Sequence, residues 1–147
     1  MKHKVFRVVY YLFGMVLLAI GITLNTKTAL GVSPLISIGY AVSQVTGLNF
    51  GNMTFVVYGA FVVIQFLLRR KNARWKDALQ FLVALLFSQL LNLFDVLLAY
   101  RPETLPGKLV MLVGAVALTG IGAAITLTMD IVPNPGDGLV SAVADTF

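Results

Sequence analysis

Three polar residues in the second half of the chain have the spacing of one helix face. Ser88, Asn92 and Asp95 stand at i, i+4 and i+7. Asp95 closes a run from 78 to 94 that carries no charge. An ionisable group within a membrane span usually faces the bundle interior or a cavity, where it can bind a proton or a cation. The alternative is a helix-end aspartate in the headgroup region, satisfied by water or by Arg101.

A second group of polar residues surrounds two proline-marked helix starts. Pro34 follows Ser33, which can cap free amides, and Pro135 follows Asn134. The free amides of such starts can bind an anionic group, although a plain helix start is an equally good interpretation. Asp137 comes just after Pro135 and Gly136, where a carboxylate is favourable in a first helical turn; its functional interpretation is a coordinating group at the helix break. Asp95, Asp130 and Asp137 together suit a cation or an amine better than an anion.

The remaining chemistry-bearing residue types are sparse. The chain has no cysteine, and its single histidine, His3, lies in the basic N-terminal tail. There is no cluster of metal ligands, no Ser-His-Asp set and no phosphate-binding glycine loop in the sequence. We therefore expect no enzymatic activity, no metal and no cofactor. The net charge of +5 needs no nucleic-acid partner, because it is the usual bias of cytoplasmic loops.

Composition identifies the environment that these residues occupy. The 147 residues are 59% hydrophobic and 12% charged, with a mean hydropathy of +0.90, which is too apolar for a soluble domain. A spanning helix needs about 20 apolar residues, and backbone groups in lipid must be bonded internally. The charge-free runs predict an all-α membrane protein, a polytopic helical bundle in the lipid bilayer, with spans at about 5–26, 50–68, 79–100 and 108–129.

Two further helices are too short to span. One is expected at about 34–46, ending at Gly47, and the other from about 135; we expect both to be re-entrant or interfacial. Basic residues lie at the N-terminus and between the second and third spans, which predicts that both segments are cytoplasmic. An even number of spans must then separate them, so the 34–46 helix does not cross. The basic residues are Lys2, Lys4, Arg7, Arg69, Arg70, Lys71, Arg74 and Lys76.

The chain carries an apparent internal repeat. A shift of 101 positions places the first span on the fourth and Pro34 on Pro135. This divides the chain into a first unit, 1–107, and an incomplete second unit, 108–147. Because three spans separate the two starts, the repeats are inverted, an architecture found in secondary transporters whose broken helices form the binding site. Chance similarity between two apolar helices is the alternative.

Two Gly/Pro motifs carry a family resemblance. ALGVSP (29–34) and TGLNFG (46–51) follow a first helix with Gly14 and Gly21, and VPNPGDGLV (132–140) follows the fourth span. Over nearly the whole chain this resembles the YczE/YyaS/YitT-like integral membrane proteins of bacteria. The resemblance implies the bacterial cytoplasmic (inner) membrane, a multi-pass fold and relatives that continue with further helices. Their molecular activity is poorly defined, and Leu35 and Ile36 stand where relatives often have aromatic and acidic residues.

Two functions remain open from the sequence. The first is a secondary transporter of an unknown small solute, proton- or cation-coupled, in which Asp95 and Asp137 bind the coupling ion and the Pro34 and Pro135 breaks move. The second is a non-transporting membrane scaffold or accessory subunit, in which polar residues only pack helices. We expect the chain to be truncated relative to its relatives or a fragment; the alternative is a half-size protein that forms a homodimer.

Overall fold

The structure is a computed structural model that describes residues 2–69 and 75–146. This part of the chain forms six helices and contains no strand, and four of the helices are long and apolar enough to cross a membrane. The predicted all-α membrane bundle is confirmed. The helices are α1 (Lys2–Thr28), α2 (Pro34–Thr46), α3 (Phe50–Arg69), α4 (Trp75–Leu97), α5 (Leu105–Met129) and α6 (Pro135–Thr146).

Two long helices differ from their expected limits for local reasons. The predicted start of α4 was too late, because Asp77 lies inside its first turn and pairs with Arg69 instead of marking a loop. The predicted start of α5 was also late: Thr104 is its N-cap and accepts a hydrogen bond from the amide of Gly107. Helix α5 therefore begins three residues before Lys108.

The four long helices alternate in direction, which gives the bundle two ends. At the N-terminal end, where α1 begins, Arg7 donates to the carbonyl of Met129 and Lys76 pairs with Asp130 at 3.6 Å. At the opposite end Lys27, in the last turn of α1, pairs with Asp95 near the end of α4. Of the predicted basic segment, Arg70, Lys71 and Arg74 lie outside the described residues.

Helices α1 and α5 pack antiparallel through glycines. A Cβ on Gly21 would lie 2.6 Å from the amide nitrogen of Thr119, and one on Gly122 would lie 2.5 Å from that of Leu18. Neither position has room for a side chain. Small residues of this kind let helix backbones approach closely in lipid, where van der Waals packing drives association.

The two short helices both begin in the middle of the bundle. Helix α2 starts beside Gly136, which Leu35 contacts, and it returns to the opposite end, where Gly47 terminates it with φ 70°. Helix α6 starts beside Gln65 and returns to the N-terminal end, where Arg69 binds Asp145. With 13 and 12 residues they rise about 20 Å, less than the roughly 30 Å of a bilayer core.

The capping role predicted for Ser33 is wrong. Ser33 is the N-cap of α2, but its side chain makes no capping hydrogen bond. Its carbonyl instead accepts from the amides of Ile36 and Ser37, at 3.1 and 2.9 Å. Backbone hydrogen bonds thus close the first turn of α2, and the Ser33 side chain takes no part in capping it.

Candidate functional site

The two helix breaks meet at one cavity inside the bundle, which we name the central pocket. It has a volume of about 180 Å³. The segment before α2 contributes Ser33, and the start of α6 contributes Asn134 and Asp137. Its lining residues are Leu18, Ile22, Asn25, Val32, Ser33, Leu35, Ile36, Tyr58, Thr119, Ala123, Thr126, Asn134 and Asp137.

Direct contacts position the start of α6 at this pocket. The Gln65 side chain of α3 donates to the carbonyl of Pro135 at 3.0 Å. Gly136 lies against Leu35, since a Cβ at Gly136 would come 2.9 Å from Leu35 Cδ1. One turn later, a Cβ at Gly138 would lie 2.7 Å from Gln65 Oε1 and 2.9 Å from Gln80 Nε2. Gln65 therefore holds the α6 backbone by a hydrogen bond, and Gln80 packs against the same helix.

Asp137 is electrostatically different from the other aspartates. No lysine or arginine lines the central pocket, and in the described part of the chain Asp137 forms no ion pair. Its carboxyl is exposed in the pocket, yet partial burial by the surrounding helices raises its pKa above the usual value. The aspartates that pair with a basic residue are Asp77, Asp95, Asp130 and Asp145.

Two amides in the pocket wall carry unsatisfied oxygens. The Oδ1 atoms of Asn25 and Asn134 are buried and have no hydrogen-bond partner within the described ranges. The Asn134 side chain does make a hydrogen bond with Tyr58, so only its oxygen is unpaired. A buried acceptor without a donor costs free energy. Asn25 lies on α1 and Asn134 just before α6, so each break has one such acceptor beside it.

The other group of predicted site residues lies elsewhere. Asp95 pairs with Lys27, and the expectation that it joins Asp137 in one site is wrong, because the two line separate cavities. Its partner is also not Arg101, the residue named in the headgroup alternative. Asp95 pairs with Lys27 because Lys27, only 5% exposed, reaches α4 from the last turn of α1.

Asn92 and Ser88 have structural partners on the same face of α4. Asn92 Oδ1 accepts from the amide of Gly51 at 2.9 Å, and its Nδ2 donates to Asn52 Oδ1 at 2.8 Å. Ser88 is buried and donates to the carbonyl of Leu85 at 2.8 Å. Asn92 therefore joins α4 to α3 at the opposite end, Ser88 bonds within α4, and neither lines the central pocket.

Sequence reasoning missed a charged network at the N-terminal end. Arg69 Nη1 donates to Asp77 Oδ1 at 2.8 Å, and Nη2 reaches Ser141 Oγ and Asp145 Oδ2, both at 3.2 Å. Asp77 is 1% exposed. The signal was a carboxylate at the start of a span, close in sequence to an arginine at the end of the preceding span.

A second cavity adjoins the central pocket, and we name it the vestibule. It has a volume of about 210 Å³ and lies at the N-terminal end, beside the Arg69 network. Thr126 and Asn134 line both cavities. The lining of the vestibule comprises Arg69, Lys76, Asp77, Thr126, Leu127, Asp130, Val132, Pro133, Asn134, Gly138 and Ser141.

Fold and site together define a polytopic helical membrane protein with an internal pocket where two short helices begin. A family model matches residues 5–147, and the chain belongs to that family, DUF6198, which is described as a family of unknown function. No curated protein and no solved structure matches the chain.

Proposed function

We propose that the protein is a secondary transporter of a small solute, coupled to a proton or cation at Asp137. The observation that carries this proposal is that both helix breaks line one pocket in the middle of the bundle. Interrupted helices that meet near the midplane are the usual binding-site architecture of such transporters. Because the pocket has one carboxylate and no basic lining residue, the preferred guest is a proton, a small cation or an amine.

Contacts between α1 and α5 support the inverted repeat. Gly21 approaches Thr119, and Gly122 approaches Leu18. Gly122 stands 101 positions after Gly21, and Thr119 stands 101 positions after Leu18. Each contact therefore becomes the other when α1 and α5 are exchanged. A two-fold axis in the membrane plane requires this relation.

A contact between the two breaks supports the same axis. Leu35 touches Gly136, and these residues are themselves 101 positions apart. A residue that contacts its own repeat equivalent lies next to the symmetry axis. This contact supports an axis beside the central pocket, the position that alternating access about the two breaks calls for.

We also propose an orientation and location. Arg7, Arg69 and Lys76 lie at the N-terminal end, so the positive-inside rule favours a cytoplasmic N-terminus. The resemblance to YczE/YyaS/YitT-like proteins favours the bacterial inner membrane. A single cysteine at position 72 tests the orientation, and labelling from outside the cell would contradict it.

Reconstitution tests transport and the role of Asp137 together. Purified protein in liposomes loaded with a pH-sensitive dye is challenged with a panel of small amines and neutral solutes, under an imposed proton gradient. We expect at least one amine to move protons through the wild type and Asp137→Asn to abolish this flux. Glu103→Gln is the matched control, because Glu103 is exposed and lines neither the central pocket nor the vestibule.

Two outcomes would contradict the proposal. Absence of flux from folded wild-type protein over the whole panel would favour the membrane scaffold. Equal flux in Asp137→Asn and wild type would remove Asp137 as the coupling group.

A further inference from the structure

Four residues of the central pocket form two equivalent pairs. Thr126 and Asn134 stand 101 positions after Asn25 and Ser33. Under the repeat, the first pair is therefore the counterpart of the second. We name Thr126 with Asn134 the first threshold and Asn25 with Ser33 the second threshold.

The two thresholds have different surroundings in this structure. The first threshold lines the vestibule as well as the central pocket, so the two cavities meet there. The second threshold lines the central pocket but not the cavity at the opposite end, which contains Asp95 and Arg101. That cavity shares no lining residue with the central pocket. The central pocket therefore lies next to the vestibule, with Thr126 and Asn134 between them, and it shares no wall with the cavity at the opposite end.

We infer that solute reaches the central pocket from the N-terminal end across Thr126 and Asn134, and leaves toward the opposite end across Asn25 and Ser33. This inference deepens the proposed transport function and rests on it. In an inverted repeat, exchanging the conformations of the two units converts one open side into the other. The second threshold then opens as the first closes, without any change in the pocket itself.

The unsatisfied amides fit this arrangement. Asn134 Oδ1 belongs to the first threshold and Asn25 Oδ1 to the second, and both are buried without a partner in the described part of the chain. A guest that carries N–H or O–H donors, such as an amine or a hydrated cation, can satisfy the unpaired acceptor beside each boundary. Each threshold thus combines a hydroxyl with an amide, which disfavours purely apolar solutes.

Cysteine accessibility tests the route without requiring transport. The chain contains no cysteine, so Ala123→Cys places a single thiol in the central pocket, and Ser141→Cys places one in the vestibule. A membrane-impermeant, positively charged thiol reagent is applied to intact cells and to inverted vesicles. Labelling of Ser141→Cys identifies the N-terminal side, and we expect Ala123→Cys to react faster from that same side.

Blocking each threshold should then act on one side only. Adding Thr126→Leu should slow labelling of Ala123→Cys from the N-terminal side about tenfold, which corresponds to about 1.4 kcal/mol of steric cost. Labelling of Ser141→Cys should not change, which also confirms that the variant folds. Thr128→Leu is the matched control, because Thr128 is exposed on the same helix and lines neither cavity.

The second threshold is tested with Asn25→Leu. We expect it to remove the slower labelling of Ala123→Cys from the opposite side while leaving the N-terminal component intact. Two results would overturn the first threshold. One is that Thr126→Leu leaves the labelling rate of Ala123→Cys from the N-terminal side unchanged. The other is that Ala123→Cys alone labels faster from the opposite side than from the N-terminal side. Absence of any opposite-side labelling, or its persistence in Asn25→Leu, would overturn the second.

The two proposals fail in distinguishable ways. If the labelling pattern holds but liposomes show no flux, the thresholds lead to a pocket that does not transport. If flux depends on Asp137 but Thr126→Leu changes no labelling rate, transport stands and this route is wrong.

Discussion

The two ends of the bundle hold their short helices by different forces. At the N-terminal end, α6 is bound by polar side chains: Gln65 binds its first carbonyl, and Arg69 binds Ser141 and Asp145. At the opposite end, α2 packs closely on α3. A Cβ on Gly39 would lie 3.0 Å from Thr54 Cα, and Tyr40 meets Phe50 edge-on with ring centroids 5.7 Å apart.

This difference identifies the helix that is easier to release. Polar contacts can be exchanged for contacts with water or solute, so their net contribution to stability is small compared with their strength. Close apolar packing has no such substitute, because separating the surfaces leaves a void. The vestibule lies beside α6, at the end held by exchangeable contacts.

The largest effect that would sharpen this comparison is expected at Arg69. Arg69→Met should lower the free energy of unfolding by about 3 kcal/mol, because Asp77 is buried and loses its guanidinium partner. Denaturant titration in mixed micelles measures this loss. Arg69→Met with Asp77→Asn should recover most of it. Lys76→Met, which breaks the more exposed pair with Asp130, should cost no more than about 1 kcal/mol.

If Arg69→Met costs no more than Lys76→Met, the buried pair of Arg69 with Asp77 does not stabilise the N-terminal end. The proposed difference between a polar N-terminal end and an apolar opposite end would then be contradicted.

A smaller effect is expected where α6 lies between the two glutamines. Gly138→Ala should destabilise the protein by about 1 to 3 kcal/mol, because the new methyl group would overlap Gln65 and Gln80. Gly120→Ala on α5 is the control: nothing lies within 4 Å of its Cβ position, so helix propensity should stabilise it by about 0.5 kcal/mol. Thermal unfolding of both variants in the same detergent measures the pair. Equal melting temperatures would show that α6 does not need this close approach.

The smallest effects, of opposite sign, are expected at Asp95 and Asp137. Asp95→Asn should destabilise by about 1 kcal/mol at neutral pH, because Lys27 loses its counter-charge while Asp95 is 41% exposed. Asp137→Asn should instead stabilise slightly, because burial raises the pKa of Asp137 and its ionised form is disfavoured in the fold.

The pH dependence follows from that raised pKa. The folded state binds the Asp137 proton more tightly than the unfolded state, so stability falls as pH rises from the ordinary aspartate pKa of 3.8 through the raised pKa of the folded state. The advantage of Asp137→Asn should therefore disappear in acid below 3.8. Melting temperatures at neutral and acid pH measure it. Destabilisation by Asp137→Asn at neutral pH would mean that the carboxylate has a partner that stabilises its charge.

Local pattern was enough to predict the helices. The four apolar runs and the Gly/Pro breaks at Pro34, Gly47 and Pro135 correspond to α1 to α6 within a few residues, because span length and helix interruption depend on neighbouring residues. The pairing of Asp95 with Lys27 could not be predicted, since these residues are 68 positions apart and meet only through the rotation and depth of two helices.

The sequence by itself determined the membrane class, the helix count within the described ranges and the two breaks, since each follows from solvation of a continuous segment. Only the tertiary structure decided which polar groups share a site. It brought Ser33, Asn134 and Asp137 to one pocket and directed Asp95 to Lys27. The physical reason is that packing of α1 against α5 sets where both breaks meet, and that packing depends on close contacts between distant glycines.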